Sequence, residues 1–413
     1  MLNFSIRFRM NILIVSIYHY VRGGLERYAF SLAELLKGKG NNVSFFSMKH
    51  PENILSDDER YFVEYIDYPT IARERGIIRG GVDTLRRTFF FPQAARNLSR
   101  LLDDKRPDIV HIQSLLHYIT PSILYPIKRR GIPVVWTLHD YSLLCANGLL
   151  FSERRESICT RCLGGIPLWA IFERCKKNSV PATTLASLEM MLYKLLRVWN
   201  RVDRFICPSR TLMEYYKKGG FPEEKLIYLP NFVDEVSPKN LPREKKIIFS
   251  GRLSPEKGIK ILLELASRLP EIDFELAGTG KLEKQLLKNK LGNIHLLGYL
   301  TKDELFDRLS RAALTLFPSI CLENRPYSVL ESMMLETPVV AADVGAAKEI
   351  IRDNETGILF SAEQLDEAKE KIMTLMNDTP HLRGMGKKAR EFVLENFDRE
   401  THYQRLMEVY NSV

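Results

Sequence analysis

Two glutamates eight positions apart, Glu323 and Glu331, are the residues whose type and spacing most directly suggest chemistry in this sequence. They lie in the stretch CLENRPYSVLE, with Pro326 between them. A pair of carboxylates is one way to cleave a glycosidic bond, with one group as the acid and the other as the nucleophile or base. Proline is also frequent at a helix start, however, and the free amides there bind anions. The pair is therefore interpreted either as catalytic acids or as two contacts to a phosphate-containing ligand.

Two cations, Arg252 and Lys257, bracket a proline turn before a predicted helix in the stretch GRLSPEKG. Arginine binds two phosphate oxygens at once, lysine adds a point charge, and the helix start adds free amides. The amides of Tyr327 and Ser328, at the helix start between the two glutamates, are expected to point into the same crevice. This combination predicts a diphosphate site, and an exposed loop is the alternative.

Other polar or glycine residues also stand directly after predicted strands. They are His139 and Asp140, the pair Gly23-Gly24, and the AGTG turn with Gly278 and Gly280. A histidine beside an acid that orients it can serve a reaction, although a structural histidine is more common. Glycine lets a ligand approach the backbone or permits a positive φ, and a tight turn is the simpler explanation. Neither glycine pattern completes a G-x-G-x-x-G fingerprint or a P-loop.

The elements that would hold these residues alternate as short apolar strands and amphipathic helices. Apolar runs of this kind predict buried parallel strands. The runs are NILIVS (11–16), NVSFFS (42–47), DIVHI (108–112), PVVWTLHD (133–140) and RFICPS (204–209), then KIIFSG (246–251), DFELAG (273–278), NIHLLG (293–298), LTLFPS (314–319) and PVVAA (338–342). Two such series predict an α/β protein with two Rossmann-like, doubly wound domains. Ligands of such sheets bind at the carboxyl ends of the strands, where the residues above stand.

Length and charge also divide the chain. Its 413 residues suit two domains, and 45% hydrophobic and 27% charged residues are typical of a soluble globular protein. Prolines and a charge cluster near 229–246 predict the seam, giving domains 1–236 and 237–395 and a terminal helix 396–413. The first domain has 34 Lys+Arg against 24 Asp+Glu, and the remainder has 26 against 27. This excess indicates either an acidic partner (nucleic acid, anionic lipid or a phosphorylated substrate) or ordinary surface charge.

The sequence favours a cytoplasmic protein. Its apolar runs are shorter than the roughly 20 residues of a membrane span. The start, MLNFSIRFRM, lacks the apolar core of a secretion signal. Met10 directly precedes the first predicted strand, so residues 1–9 are expected to be an upstream start or a loose tail.

In this order, the motifs resemble those of the retaining nucleotide-sugar glycosyltransferases of family four, whose GT-B fold has two Rossmann-like domains facing across a cleft. The resemblance runs from about Asn11 to the C-terminal helix. It is carried by GGLERYAFSLAELLKGKGNNV, LHDYSLLC, CPSRTLMEYYKKGG, YLPNFVD, FSGRLSPEKGI, AGTG and the E-x7-E pair. It implies retaining transfer of a sugar from a UDP- or GDP-sugar to a glycan or lipid-linked acceptor, in cell-envelope polysaccharide synthesis. It also implies that the reaction needs no metal and that the C-terminal helix crosses back to the first domain.

The resemblance implies a role for each matching position. The expected catalytic set is Arg252 and Lys257 on the donor diphosphate, Glu323 on the donor sugar and His139 beside that sugar in the cleft. Glu331 would hold the ribose hydroxyls. The remaining donor contacts would be Gly23 and Gly24 at the sugar or phosphates, the amides of Tyr327 and Ser328, and Gly278, Gly280 and Tyr299 around the base.

One stretch departs from the family pattern. Many members follow the first glutamate with Pro or Gly and a Phe-Gly pair, whereas this chain has Asn324-Arg325-Pro326. Pro326 removes one backbone donor, so the amides that touch the donor stay undecided. Arg325 is either an additional phosphate or sugar contact or part of the helix start.

Four of the six cysteines fall in one insertion at about 145–175, after His139-Asp140. They are Cys145, Cys159, Cys162 and Cys175. Structural disulfides are unexpected in a cytoplasmic chain, and the C-x13-C-x2-C-x12-C spacing suits a structural zinc ion. An iron–sulfur cluster and four unrelated thiols are the alternatives. A metal here is expected to fold a loop over the acceptor side of the cleft without taking part in catalysis.

The segment 71–102 combines seven arginines with two acids and a run of three phenylalanines. It predicts either peripheral contact with anionic lipid at the inner face of the membrane or a core-facing helix with an exposed basic side.

Other function classes are a sugar-nucleotide epimerase of related fold, a non-catalytic nucleotide-sugar-binding protein and a nucleic-acid binder. An epimerase would lack the E-x7-E pair beside Arg and Lys. A binding protein would keep its function when Glu323 is changed. Nucleic-acid binding leaves the residues at the strand ends unexplained, so we expect no nucleic-acid partner.

Overall fold

Two six-stranded parallel sheets organise the chain, one in each half. The computed structural model describes residues 9–65, 88–239, 241–288 and 291–413. Its strands are β1 (Asn11–Val15), β2 (Asn42–Phe46), β3 (Ile109–Ile112), β4 (Val134–Thr137), β5 (Phe151–Ser152), β6 (Ser157–Ile158), β7 (Arg204–Cys207), β8 (Leu226–Tyr228), β9 (Glu244–Ser250), β10 (Asp273–Ala277), β11 (Ile294–Gly298), β12 (Ala312–Phe317), β13 (Val339–Ala342) and β14 (Gly357–Phe360). The sheet orders are β2-β1-β3-β4-β7-β8 and β11-β10-β9-β12-β13-β14, and β5 and β6 form a separate antiparallel pair. The predicted pair of doubly wound α/β domains is confirmed.

Helices cover both faces of each sheet. They are α1 (Gly24–Gly38), α2 (Pro92–Lys105), α3 (Leu124–Arg129), α4 (Leu168–Phe172), α5 (Val180–Leu195), α6 (Arg210–Lys218), α7 (Ile259–Arg268), α8 (Glu283–Leu286), α9 (Lys302–Arg311), α10 (Tyr327–Met334), α11 (Ala347–Ile350), α12 (Leu365–Asn377), α13 (Thr379–Asn396) and α14 (Arg399–Asn411). In β1, Leu13 and Val15 join one apolar core while Ile12 and Ile14 join another. Because successive side chains of a strand point to opposite faces, both faces of this sheet are buried, as uninterrupted apolar strands require.

Each sheet has a point where the strand order reverses. In the first sheet β1 lies between β2 and β3, and in the second β9 lies between β10 and β12. The loops that leave adjacent strands at such a point diverge, which opens a crevice at the carboxyl edge. Gly23-Gly24 follows β1, Arg252 and Lys257 follow β9, and Glu323 follows β12, so these predicted residues stand at the two crevices. His139 follows β4 and Tyr299 follows β11, farther along the same carboxyl edges.

The C-terminal helix α14 packs on the first sheet, far from its neighbours in sequence. Tyr28 donates a hydrogen bond to Nε2 of His402 (3.1 Å), whose Nδ1–H donates to the carbonyl of Pro230 (2.8 Å). Tyr410 hydrogen-bonds to His111 of β3 at 2.6 Å. All four rings are buried, so this helix fixes the end of the chain to the first half.

Within the part of the chain that the structure describes, no helix has both the length and the apolar composition to cross a membrane.

Burial lowers the pKa of four histidines, to about 3 for His111 and His139 and to about 4 for His19 and His402. An unfolded histidine has a pKa of about 6.5. Between pH 6.5 and 4 the unfolded chain therefore binds protons that the folded chain excludes, and the free energy of unfolding falls as the pH drops. Each of these histidines is expected to lower the free energy of unfolding by roughly 2 kcal/mol between pH 7 and pH 5.

We predict that His402→Gln makes the thermal midpoint less sensitive to pH between 7 and 5 than it is in the wild type, because glutamine keeps a donor but does not titrate. Thermal melts across this range measure the slope. His381→Gln changes an exposed histidine and should leave the slope unaltered. Equal slopes for wild type and His402→Gln would contradict the assignment of a buried neutral imidazole.

Candidate functional site

The carboxyl edges of the two sheets meet through the loop that follows β12. Asn324 of this loop donates from Nδ2 to the carbonyl of Leu138, after β4 (2.9 Å), and accepts at Oδ1 from the hydroxyl of Ser209, after β7 (2.9 Å). The Nε–H of Arg325 donates to the carbonyl of Pro208 (3.1 Å). These contacts bring the residues after β4 and β7 beside those after β9 and β12.

Asn324 and Arg325 have a role that the sequence did not reveal. Both side chains are buried, and the guanidinium of Arg325 lies 4.9 Å from the ring centre of Phe397. The structure directs Arg325 to the first half and to a ring, not to a ligand. Helix α10 begins at Tyr327, so Pro326 precedes the first helical residue instead of occupying it.

Lys257 and Glu323, two of the predicted catalytic residues, form an ion pair between Nζ and Oε1. Lys257 ends the short 3-10 turn after β9, and Glu323 lies in the loop after β12. The hydroxyl of Ser319 also donates to Oε1 of Glu323, at 2.9 Å. The two side chains are 25% and 15% exposed, so the pair is mostly covered from solvent.

The pair keeps both groups charged at neutral pH. Burial alone would raise the pKa of Glu323, but the charge of Lys257 and the hydrogen bonds from Lys257 and Ser319 bring it below its usual value. Burial alone would lower the pKa of Lys257, and the charge of Glu323 raises it above its usual value. A cation and an anion are thus held together where the second crevice opens.

Glu331 has a cation of its own, Arg27 of α1, and this contact joins the two halves. Burial raises the pKa of Glu331, and the charge of Arg27 opposes that rise. The guanidinium of Arg27 also lies 5.5 Å from the ring centre of Tyr327. A Cβ on Gly24 would lie only 3.4 Å from the Tyr327 ring, so the starts of α1 and α10 are packed together.

Arg27 was missed in the sequence because a basic residue on an amphipathic helix resembles ordinary surface charge. Its place one turn after Gly23-Gly24, at a strand-to-helix junction, is the signal that could have found it. Neither glycine has a positive φ; Gly23 is extended, at −167°. Close packing, and not backbone conformation, is what the structure shows at Gly24.

His139 lies at the carboxyl end of β4, as its position in the sequence predicted. Its Nε2–H donates to Oε1 of Gln113 (2.7 Å), which follows β3, and its ring meets the Tyr28 ring at 5.5 Å. Burial lowers its pKa to about 3, so the imidazole is neutral. This arrangement supplies an oriented hydrogen-bonding group, not a base that titrates near neutral pH. Gln113 was missed, although a polar residue directly after an apolar strand gives the same signal as His139.

A cavity of about 280 Å³ adjoins His139 on the side of the first sheet. Its lining includes the polar side chains of Glu26, Ser114, Asp140 and Lys176. Carboxylates, a hydroxyl and an ammonium group around one cavity can hydrogen-bond several hydroxyl groups of a carbohydrate.

Lys176 of the cysteine-containing insertion is held in this cavity by His117. It donates to Nε2 of His117 at 2.6 Å, and Nδ1 of His117 contacts the buried carboxylate of Glu189 in α5. Burial lowers the pKa of Lys176, while the charges of Glu189 and Asp140 raise it. The sequence could not show this chain of contacts, the relay from Glu189 through His117 to Lys176, because its members are separated by up to 72 positions.

The remaining predicted donor contacts lie along the second carboxyl edge. Arg252 is exposed after β9, and Tyr299 is 83% exposed after β11. Gly278 has φ +138°, and a Cβ there would lie 2.0 Å from the carbonyl oxygen of Gly251. A Cβ on Gly280 would lie 2.3 Å from the Leu253 carbonyl oxygen. These glycines pack the loop after β10 against the loop that carries Arg252, and their contact with a base stays a prediction. Ser328 stands at the start of α10, where the first amides have no partner within the helix.

The predicted zinc site is not supported. Among the described residues, no group of three or more His, Cys, Asp or Glu side chains is placed to hold a metal ion. The Sγ of Cys145 instead donates to Asn147 Oδ1 at 3.0 Å. Burial, and then the nearby charges of Cys145, Cys159 and Cys162, raise the pKa of Cys175 to about 12.

The basic segment 71–102 falls partly outside the described residues, which resume at 88. Helix α2 buries Ala94, Leu98 and Leu101 and leaves Arg96 and Arg100 exposed. For this part, a core-facing helix with a basic outer side is the correct alternative.

Comparison with known proteins gives two family matches. The model described as Glycosyltransferase Family 4 matches residues 22–236, and that described as Glycosyl transferases group 1 matches residues 233–392. The poly(ribitol-phosphate) alpha-N-acetylglucosaminyltransferase of Staphylococcus aureus is 28% identical over 203 residues, 46% of this chain and 41% of that protein. The alpha-galactosylglucosyldiacylglycerol synthase of Streptococcus pneumoniae is 24% identical over 262 residues, 56% of this chain and 67% of that protein. The chain spans about half the length of the first curated relatives it matches.

The fold is also found in solved structures. That of Anabaena HepE in complex with UDP and glucose has a TM-score of 0.67 and 16% identity, over 98% of this chain and 100% of that one. At this identity the likeness concerns the fold.

We predict that Asn324→Ala lowers the free energy of unfolding by about 2 kcal/mol, because the Leu138 carbonyl and the Ser209 hydroxyl lose a buried partner. Urea unfolding measures the change. Asn377→Ala, at an exposed helix end, is the matched control and should stay near the wild type. A loss for Asn324→Ala no larger than for Asn377→Ala would show that the contact between the halves contributes little.

Proposed function

Because the chain belongs to Glycosyltransferase Family 4 and has the GT-B fold, we propose that it transfers a sugar from a nucleotide-diphospho-sugar, with retention at the anomeric carbon, to a glycan or lipid-linked acceptor of the cell envelope. The donor binds to the second half of the chain and the acceptor to the first. The observation that carries this proposal is the Lys257–Glu323 pair at the crevice of the second sheet, beside Arg252 and the start of α10.

The donor diphosphate is assigned to Arg252, Lys257 and the first amides of α10. Two cations and a helix start stabilise the negative charge that grows on the diphosphate as the sugar departs. Lys257 is already charged and oriented by Glu323, so little reorganisation is needed when phosphate oxygens arrive. No step of this scheme requires a metal ion.

The two glutamates are assigned to hydroxyl groups. Glu323 accepts hydrogen bonds from the donor sugar, and Glu331 accepts them from the ribose in place of Arg27. We do not assign Glu323 to nucleophilic attack, because Lys257 and Ser319 already occupy one of its oxygens. The eight-residue spacing then places one glutamate at the sugar and the other at the ribose of one ligand.

The acceptor is assigned to the cavity beside His139. The neutral imidazole, held by Gln113, lines this cavity and would hydrogen-bond the donor sugar. Asp140, Glu26 and Lys176 supply partners for the acceptor's hydroxyls.

UDP is the proposed nucleotide, with GDP as the alternative. The structural neighbour HepE was solved with UDP and glucose, which supports this choice through the shared fold. Two relatives are named for a poly(ribitol-phosphate) and a diacylglycerol glycolipid, which supports an envelope polymer or a lipid-linked acceptor.

We predict that Glu323→Gln lowers the release of UDP from a cognate UDP-sugar by roughly 100-fold or more, because a neutral amide no longer balances Lys257 or accepts two sugar hydroxyls. The same variant should keep thermal stabilisation by UDP, since Lys257 and Arg252 remain. Turnover on a panel of UDP- and GDP-sugars and thermal melts with UDP or GDP are the two readouts.

Lys257→Ala should lose the stabilisation by UDP, and Glu355→Gln, which changes an exposed carboxylate, should behave as the wild type. Full turnover in Glu323→Gln would remove the donor-sugar role. Failure of both nucleotides to stabilise the wild type would contradict the donor site itself.

A further inference from the structure

The insertion that follows β4 leaves large apolar side chains uncovered on α4, α5 and the residues beside them. Phe172 is 73% exposed, Trp169 51% and Leu195 80%. This surface, which we call the apolar face, comprises Ile166, Leu168, Trp169, Phe172, Leu188, Met191, Leu195 and Leu196. Single exposed apolar residues need no explanation, but a contiguous set of this size marks an interaction surface.

Four members of the apolar face, Ile166, Leu188, Met191 and Leu195, line one open groove of about 940 Å³. Ile166 also leads into α4, where the rings of Trp169 and Phe172 lie 6.0 Å apart. The groove and the exposed turn of α4 are therefore neighbours along the chain.

The charge around the apolar face is positive. Residues 161–200 contain six Lys or Arg and two Glu, a net charge of +4. Both acids are covered, since Glu189 is buried against His117 and Glu173 pairs with Arg155. Among residues 161–200, the charges that face solvent are therefore mainly cationic.

Three of the cations lie against the apolar side chains themselves. The guanidinium of Arg161 lies 5.2 Å from the ring centre of Trp169. Lys194 donates to the Gly164 carbonyl at 2.6 Å and lines the groove together with Arg197. Aromatic and aliphatic side chains interleaved with lysine and arginine are typical of surfaces that lie in the interface of an anionic membrane.

The charge of the apolar face disfavours a protein partner, and a second copy of this chain in particular. The cores of protein interfaces are depleted in charged residues, lysine above all. A second copy docked symmetrically would oppose two surfaces of net charge +4, which repel each other. Anionic lipid headgroups are complementary to this charge.

The apolar face also lies close to the proposed acceptor cavity. That cavity, a narrow space beside His117, and the groove all have Leu143 in their linings. Met190 and Trp199 line both the narrow space and the groove. An acceptor whose lipid part lies in a bilayer at this face would have its sugar end next to His139.

We propose that the apolar face inserts into the headgroup region of an anionic bilayer and that its cations bind the lipid phosphates. Insertion of this surface is supported by its own exposed side chains and cations and does not depend on the proposed function. That the bilayer delivers a lipid-linked acceptor rests on the proposed function.

Co-sedimentation with vesicles tests the proposal. The wild type should bind vesicles of phosphatidylcholine mixed with phosphatidylglycerol and bind phosphatidylcholine alone much more weakly, and added salt should weaken the binding. The double variant Phe172→Ser, Leu195→Ser should lower the partition coefficient by about tenfold or more, because it removes two inserting side chains. Leu287→Ser changes an exposed leucine of the second half and should bind like the wild type.

Thermal melts with UDP on the same preparations separate the two claims and confirm that the variants are folded. Stabilisation by UDP without any vesicle binding would overturn the membrane surface and leave the proposed function intact. Vesicle binding without stabilisation by UDP would overturn the proposed function and leave the membrane surface intact. A wild type that ignores vesicles but forms a dimer that Phe172→Ser, Leu195→Ser dissociates would show that a second copy covers the face.

Discussion

The ion pair between Lys257 and Glu323 is the interaction on which the site depends. It joins the loop after β9 to the loop after β12, which are the two loops that diverge at the strand reversal of the second sheet. Two opposite charges in a mostly covered place are stable only with each other or with a ligand that replaces one of them. An anionic ligand that approaches Lys257 finds a charged and oriented cation, and the hydroxyls of the same ligand find a charged carboxylate. The pair therefore fits the proposed donor, which combines phosphates with a sugar.

The position of this pair relative to the first half is set by contacts from the same loop. Asn324 and Arg325, directly after Glu323, donate hydrogen bonds to the carbonyls of the residues that immediately follow β4 and β7. Glu349 accepts hydrogen bonds from the first amides of α6, at 2.8 Å for Arg210 and 2.7 Å for Thr211. The C-terminal helix returns to the first sheet and closes the connection between the halves. A short stretch of sequence thus carries both a candidate site residue and contacts to the residues that follow β4 and β7.

The fold, and the grouping of the candidate site residues at the carboxyl edges of the strands, could be predicted from the sequence because both follow from local pattern. Buried parallel strands are apolar without alternation, and functional residues of doubly wound sheets follow those strands. Arg27, Gln113 and the relay to Lys176 could not be predicted, because their importance comes from partners distant in sequence. Asn324-Arg325 looked like an unexplained departure for the same reason. The four cysteines have a spacing that suits zinc, but spacing does not fix the direction of each thiol. The apolar face was missed because a leucine-rich helix reads as core-facing, and only the packing shows that nothing in the described chain covers it.

We propose that a nucleotide diphosphate binds to Lys257 and takes the place of Arg27 at Glu331. A crystal structure of the protein with UDP tests this proposal most directly. The Lys257 ammonium is expected to bind a phosphate oxygen of UDP, and Glu331 is expected to release Arg27 and accept hydrogen bonds from the ribose. UDP bound elsewhere, with the Lys257–Glu323 and Arg27–Glu331 pairs unchanged, would contradict it.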